Sequence, residues 1–215
     1  MAGMAIRLTR WGQSCVRIEG PGGAVVIDPG ALGDSAAALS RADGVLLTHE
    51  HADHVDGPLV AASGLPVWGP APALAVVAEA GAEAARLHEV HAGDAFAVGG
   101  LPVVVLGEWH AVIHPDVPRV PNVGYLVADS VLHPGDAFVE PPAGTEVEVA
   151  LTPVGGPWLL LADAIDWVRS VAPARVVPIH DVMLNETGLR SAHGWLSRLT
   201  AAPVVTPAQG DVVEV

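Results

Sequence analysis

Lysine is absent from this sequence: all ten basic side chains are arginine, set against 24 acidic residues for a formal net charge of −14. So acidic a surface repels phosphate backbones and lacks the basic stripe that nucleic-acid binding needs, so no nucleic-acid partner is expected. Small anionic substrates are not excluded, because a local arginine or bound metal cations can override the global field. With one cysteine, Cys15, no internal disulfide can form. That fits a reducing compartment, and a cytoplasmic location is the expectation. The opening residues, MAGMAIRLTR, hold no long apolar segment, so no secretory signal is expected there. The longest uncharged stretch, 57–78, is broken by Pro58, Pro66, Pro70 and Pro72 and cannot form a membrane helix.

What remains is a chain of 215 residues, half of them hydrophobic, long enough to bury a core without staples. Short apolar runs punctuated by Gly and Pro predict strands at 6–9, 15–18 and 24–27, joined as a meander. Further strands are expected at 44–48, 96–98, 101–106, 123–128, 131–133, 175–179 and 211–215. Helical spacing predicts helices at 159–171 and 186–199. Residues 72–80 and 82–87 read as one helix interrupted at Gly81, or as a helix followed by an extended piece. Strand-rich segments with a few interspersed helices point to an α+β sandwich of two stacked sheets, as one domain over residues 1–215. Composition leaves open whether the chain forms a homo-oligomer.

The chemistry lies in Leu46-Leu47-Thr48-His49-Glu50-His51-Ala52-Asp53-His54-Val55-Asp56, directly after an apolar strand. On an extended backbone the two-residue spacing turns His49 and His51 to one side. Asp53 and His54 follow where the chain can bend toward a second point. Two imidazoles and a nearby carboxylate suit zinc, and also manganese, iron or nickel. Three later segments repeat one design, an apolar strand ending on a His or Asp: His110 after 103–106, Asp136 after 131–132, and His180 after 176–179.

On these residues the chain resembles the metallo-β-lactamase-fold superfamily. The match is the H-x-H-x-D-H of His49 to His54, then His110, Gly135-Asp136 and His180. Trp11-Gly12-Gln13-Ser14-Cys15 and Val26-Ile27-Asp28-Pro29-Gly30 extend it toward small metal-dependent hydrolases similar to L-ascorbate-6-phosphate lactonase. The resemblance implies a four-layer αββα sandwich and two divalent metal ions, zinc first among the candidates. His49, His51 and His110 would hold one ion; Asp53, His54 and His180 would hold the other, and Asp136 would bridge them. Water activated between the ions would attack a small ester-like substrate, a lactone, carboxylic ester or phosphodiester, with Asp53 orienting it. The alternatives are a non-catalytic metal-dependent binding module and a nuclease of the same superfamily. One departure stands out: relatives often carry a histidine where this chain has Gln13, a change expected to alter specificity more than metal binding.

Other side chains are weighed against that set. His114 rivals His110 as a ligand, but lies farther from the strand end and is expected in or beside the pocket, where it can contact substrate. Arg119, in a loop stiffened by Pro115, Pro118 and Pro121, is a candidate for binding a carboxylate or phosphate, with a plain surface role as its competitor. Asp28 and His133 are expected to support ligands from outside the metal shell, Asp28 by orienting a histidine or else by plainly capping its turn, and His133 by propping the Asp136 turn. His88, His91 and His193 are expected at the surface. Cys15 is expected in the core; Trp109 and Trp158 are expected there too, with lining the pocket as the alternative.

Overall fold

The computed structural model describes residues 6–215. A meander of β1 (Arg7–Gly12), β2 (Cys15–Gly20) and β3 (Gly23–Ile27) opens it. There follow α1 (Ser35–Leu39), β4 (Gly44–Leu46), α2 (Gly57–Ser63), β5 (Val67–Gly69), α3 (Ala71–Glu79) and β6 (Leu87–Glu89). The second half runs through β7 (Ala95–Val98), β8 (Leu101–Leu106), β9 (Gly124–Val127), β10 (Val131–His133) and β11 (Val149–Pro153). It ends with α4 (Leu161–Val171), β12 (Arg175–Ile179), α5 (Glu186–Leu199) and β13 (Val212–Glu214).

The strands form two sheets, ordered β13-β1-β2-β3-β4-β5-β6 and β12-β11-β10-β9-β8-β7. Between them lies a core of alternating strand residues, including Leu8, Ile18, Ile27, Leu101, Tyr125, Leu151 and Ile179. A second apolar layer seals the first sheet beneath α1, α2 and α3 through Val26, Val45, Leu47, Val60 and Val77. A third seals the other sheet beneath α4 and α5 through Leu132, Ala150, Trp167, Val176 and Leu196. The four layers are the expected αββα sandwich. Residues facing helices on one side of a strand and the opposite sheet on the other give these strands their nearly continuous apolar runs.

Strand direction gathers the site. The pairs β1–β2 and β2–β3 are antiparallel and β3–β4 is parallel, so β1, β3 and β4 share one direction. In the other sheet β8–β9 and β9–β10 are antiparallel, while β10–β11 and β11–β12 are parallel, so β8, β10, β11 and β12 agree. Their C-terminal ends deliver Gln13, Asp28, His49, His110, Asp136, Trp158 and His180 to one edge of the sandwich.

Two elements correct the sequence expectation. The stretch 82–87 is not helical throughout: a short turn at Ala84–Arg86 leads into β6, the extended alternative. The strand expected over 44–48 ends at Leu46, because the next residues bend into the histidine loop. No helix among the described residues is long and apolar enough to cross a membrane.

Candidate metal centre

Two groups of side chains converge at the sheet edge: His49, His51, His110 and Asp136 in one, and Asp53, His54 and His180 in the other. Within each group, donor atoms lie within 4.8 Å of one another. Asp136 faces both. Its Oδ2 lies 3.4 Å from His110 Nε2, 4.0 Å from His49 Nε2 and 3.1 Å from His180 Nε2, and its Oδ1 lies 3.2 Å from His54 Nε2. Asp53 Oδ2 stands 3.3 Å from His180 Nε2 and 3.5 Å from His54 Nε2. All but His51 and Asp53 are buried.

A buried nitrogen or oxygen without a partner is costly, so its presence asks for an explanation. His54 Nε2, His110 Nε2, Asp136 Oδ1 and both ring nitrogens of His180 are buried without a hydrogen bond. The ε nitrogens of His54, His110 and His180 all face Asp136. Imidazole nitrogens and carboxylate oxygens in this arrangement, with no sulfur, fit divalent ions of the zinc, manganese or iron type.

The supports are built from local sequence. Asp28, fully buried, accepts from the Thr48 amide at 2.8 Å and the Thr48 hydroxyl at 2.7 Å, and pairs with His54 Nδ1 at 2.7 Å. This fixes the His54 ring so that Nε2 faces the centre. His110 Nδ1 is held by the Ala111 carbonyl at 2.6 Å, which aims its Nε2 inward likewise. Asn122 receives the Asp136 amide at 3.0 Å and donates to the Pro134 carbonyl at 3.1 Å. His133 Nδ1 accepts the Gly135 amide at 3.1 Å and its Nε2 donates to the Ser14 carbonyl at 3.0 Å, so it braces the turn into Asp136 from outside both groups. Gln13 donates to Asp53 Oδ2 at 2.8 Å, accepts the Val182 amide at 3.2 Å, and offers its carbonyl to the His180 amide at 3.0 Å.

Gln13, Asp28 and His180 all adopt left-handed backbone, with φ of +47°, +49° and +55°. Each conformation costs a non-glycine residue about 1–2 kcal/mol, so three at one edge mark a constrained site. Gly30 is required for a different reason. A Cβ there would meet the Asp53 carbonyl oxygen at 2.0 Å, so only glycine lets the metal-type loop pass.

Electrostatics follow from the crowding. Burial holds His49 well below the ordinary imidazole range, assisted by the neighbouring rings of His54, His51 and His110. For His180, burial opposes the charged form, but Asp136 and Asp53 outweigh it and push the pKa up to about 9. Burial alone would raise Asp136, yet His54, His110 and His180 hold it well below the carboxylate range. Anionic carboxylates among crowded imidazoles make a cation-seeking pocket.

Not every sequence expectation lands here. His114 is 62% exposed, receives the Asp116 amide at 3.1 Å, and is not among the residues lining the cleft. Arg119 spends its Nε on the His110 carbonyl at 2.9 Å and lies 5.9 Å from the Trp109 ring centroid, lining a small adjoining pocket instead of the main cleft. His88 stacks on Trp68 and His91 pairs with Glu89, both at the surface. His193, expected to be solvated, is half-buried beside Arg10 and Asp181. Trp109 is 44% exposed and not a core residue.

Trp158 takes the pocket-lining alternative, not the core position. It lines the cleft and donates its indole N–H to Asp136 Oδ2 at 2.7 Å. A Cβ on Gly156 would meet Trp158 Nε1 at 3.1 Å and His180 Cε1 at 3.3 Å, so glycine lets both rings approach. The signal was present: Val154-Gly155-Gly156-Pro157-Trp158 directly follows an apolar run, the pattern of the other site segments.

Comparison with known proteins agrees with this geometry. The family described as the beta-lactamase superfamily domain matches residues 7–180. This chain belongs to that superfamily. Protein Rv0786c of Mycobacterium tuberculosis is 36% identical over 205 residues, covering 91% of this chain and 93% of its own. A UPF0173 metal-dependent hydrolase of Myxococcus xanthus is 30% identical over 198 residues, covering 80% and 69%. The metallo-beta-lactamase fold protein YhfI of Bacillus subtilis superposes with a TM-score of 0.73 at 14% identity, covering 99% of this chain and all (100%) of its own. The fold is therefore the metallo-β-lactamase fold.

Proposed function

We propose that this superfamily member is a metal-dependent hydrolase that uses two divalent ions to cleave a small ester-like bond. The observation that carries the reading is the convergence of buried, unpartnered nitrogen and oxygen atoms on Asp136. His49, His51 and His110 are assigned to one ion, and Asp53, His54 and His180 to the other, with Asp136 shared. Zinc is the first candidate, and manganese, iron and nickel suit the same donors. A relative named as a metal-dependent hydrolase supports the same reaction class.

When bound, such ions bring water near its ionisation at neutral pH and draw off negative charge as it develops on the substrate. The protein's own groups do the rest. Asp53, with its side chain 26% exposed at the cleft, is placed to orient the attacking water, and Gln13 fixes the carboxylate that does so. Asp28 and the Ala111 carbonyl hold the δ nitrogens of His54 and His110, which keeps the ε nitrogens free to bind. The candidate bonds are those of a lactone, a carboxylic ester or a phosphodiester.

The test loads the full chain separately with zinc and manganese, counts bound metal, and compares turnover of an aryl phosphodiester with that of a simple lactone. Turnover of either by the loaded protein supports the proposal and identifies the electrophile. Metal binding with no turnover of either would favour a non-catalytic binding module. Failure to bind metal would refute the proposal outright.

A further inference from the structure

The cleft above the centre encloses about 380 Å³, the size of a small-molecule site. Every titratable side chain lining it belongs to the two groups already described; the remaining wall is Ala31, Leu32, Ala52, Ile113, Pro157, Trp158 and Met183. Among the described residues no arginine lines it, and the chain has no lysine. The indole N–H of Trp158, the one polar donor in that wall, is already committed to Asp136. Arg119 lines the separate small pocket beside His51 and His110, with its Nε committed to the His110 carbonyl.

The mouth is apolar as well. Leu32 is 49% exposed and Met183 68%, while Val182, next to Met183 in sequence, is 49% exposed. A substrate carrying an ionised phosphate or carboxylate away from the reacting bond would bring that charge against apolar wall without a partner, which is strongly unfavourable. The net charge of −14 opposes its approach too. A hydrocarbon chain meets the opposite situation, since each methylene it buries against Leu32, Ile113, Trp158 or Met183 leaves water.

We propose that the cleft selects an uncharged carboxylic ester, open or cyclic, bearing an apolar chain of several carbons. This rests on the hydrolase reading and narrows it. One water is consumed, the acyl carbon–oxygen bond breaks, and the products are a carboxylate, a proton and an alcohol. Substrates with a second, anionic group, such as phosphorylated sugar lactones, fall outside it.

The experiment gives the metal-loaded chain p-nitrophenyl acetate, butyrate, hexanoate and octanoate, with p-nitrophenyl phosphate and bis(p-nitrophenyl) phosphate alongside. In parallel, calorimetry measures binding of the matching alkanoates, a readout independent of turnover. The expected result is a kcat/KM that climbs roughly fourfold per methylene until the wall is covered, with alkanoate affinity climbing in step. Met183→Glu, at an exposed position that tolerates substitution, should flatten both series. Equal values across both series, or faster turnover of either phosphate than of the hexanoate, would overturn the inference. No turnover of any ester, with alkanoate affinity still rising with chain length, would overturn the hydrolase reading while supporting the apolar selectivity of the cleft.

Discussion

Trp158 Nε1 donates a 2.7 Å hydrogen bond to Asp136 Oδ2, the same oxygen that lies 3.1 Å from His180 Nε2 and 3.4 Å from His110 Nε2. The indole thereby fixes the carboxylate that faces both groups of the centre. A bond to a carboxylate at this depth is charge-assisted and holds orientation as well as energy. Trp158 itself is seated by Gly156, with Phe138 at 5.7 Å between ring centroids.

Trp158→Phe keeps an aromatic ring, smaller than the indole, and removes the donor. Outer supports of metal ligands contribute about 10- to 100-fold in affinity or activity. The substitution is expected to weaken metal binding about tenfold, as read by competition with a chromogenic chelator, with little loss of thermal stability. Unchanged affinity would reduce Trp158 to a wall of the cleft.

Gln13 links Asp53 to the His180 segment through both ends of its amide and its own carbonyl. Gln13→Ala should lower kcat by about tenfold or more, because Asp53 loses its fixed orientation. Gln13→Glu should be worse, since it sets a second carboxylate against Asp53. Steady-state kinetics on loaded protein checks both, and equal activity of all three forms would remove Gln13 from the mechanism.

His110 and His114 separate cleanly. His110→Ala deletes a buried nitrogen aimed at Asp136, so it should strip metal from its group and lower turnover by at least about 100-fold. His114→Ala alters an exposed loop and should change neither metal content nor stability by more than about 0.5 kcal/mol. Elemental analysis of the two purified variants compares them directly.

Cys15 is buried, and burial pushes its thiol from the ordinary 9.0 up to about 12. It should resist alkylation at pH 8 in the native state and react fully once unfolded. The sign for stability follows from the raised value. The contribution is intact below pH 9 and is lost as pH climbs toward 12, where the folded thiol at last ionises. Thermal melts across that range should fall less steeply in Cys15→Ala than in the unaltered protein.

Much of the candidate site is legible because histidine and aspartate side chains sit where apolar strands end, and the structure brings these residues together. His49 to His54, His110, Asp136 and His180 announce themselves in that way, and α5 was read at its observed bounds. The elements that escaped were short or atypical. The helix α2 begins Gly57-Pro58 and is seven residues long, capped by Asp56, within a stretch that looked merely proline-broken. The strand β11 lies between two parallel neighbours and ends in Pro153, so it shows no alternation. Without β11, pocket lining by Trp158 is no more than an alternative, because its contact with Asp136 depends on where that strand ends. The left-handed backbone of Gln13, Asp28 and His180 is likewise invisible in sequence, because tertiary packing imposes it on residues that do not favour it.

The most direct test of the two-ion proposal is the number of divalent ions bound per chain, measured with turnover on the unaltered protein and on Asp136→Ala. Two ions with hydrolysis in the former, and loss of at least one ion with nearly all turnover in the latter, is the expected result. Full occupancy and full activity in Asp136→Ala, or an unaltered chain that takes up no metal, would contradict it.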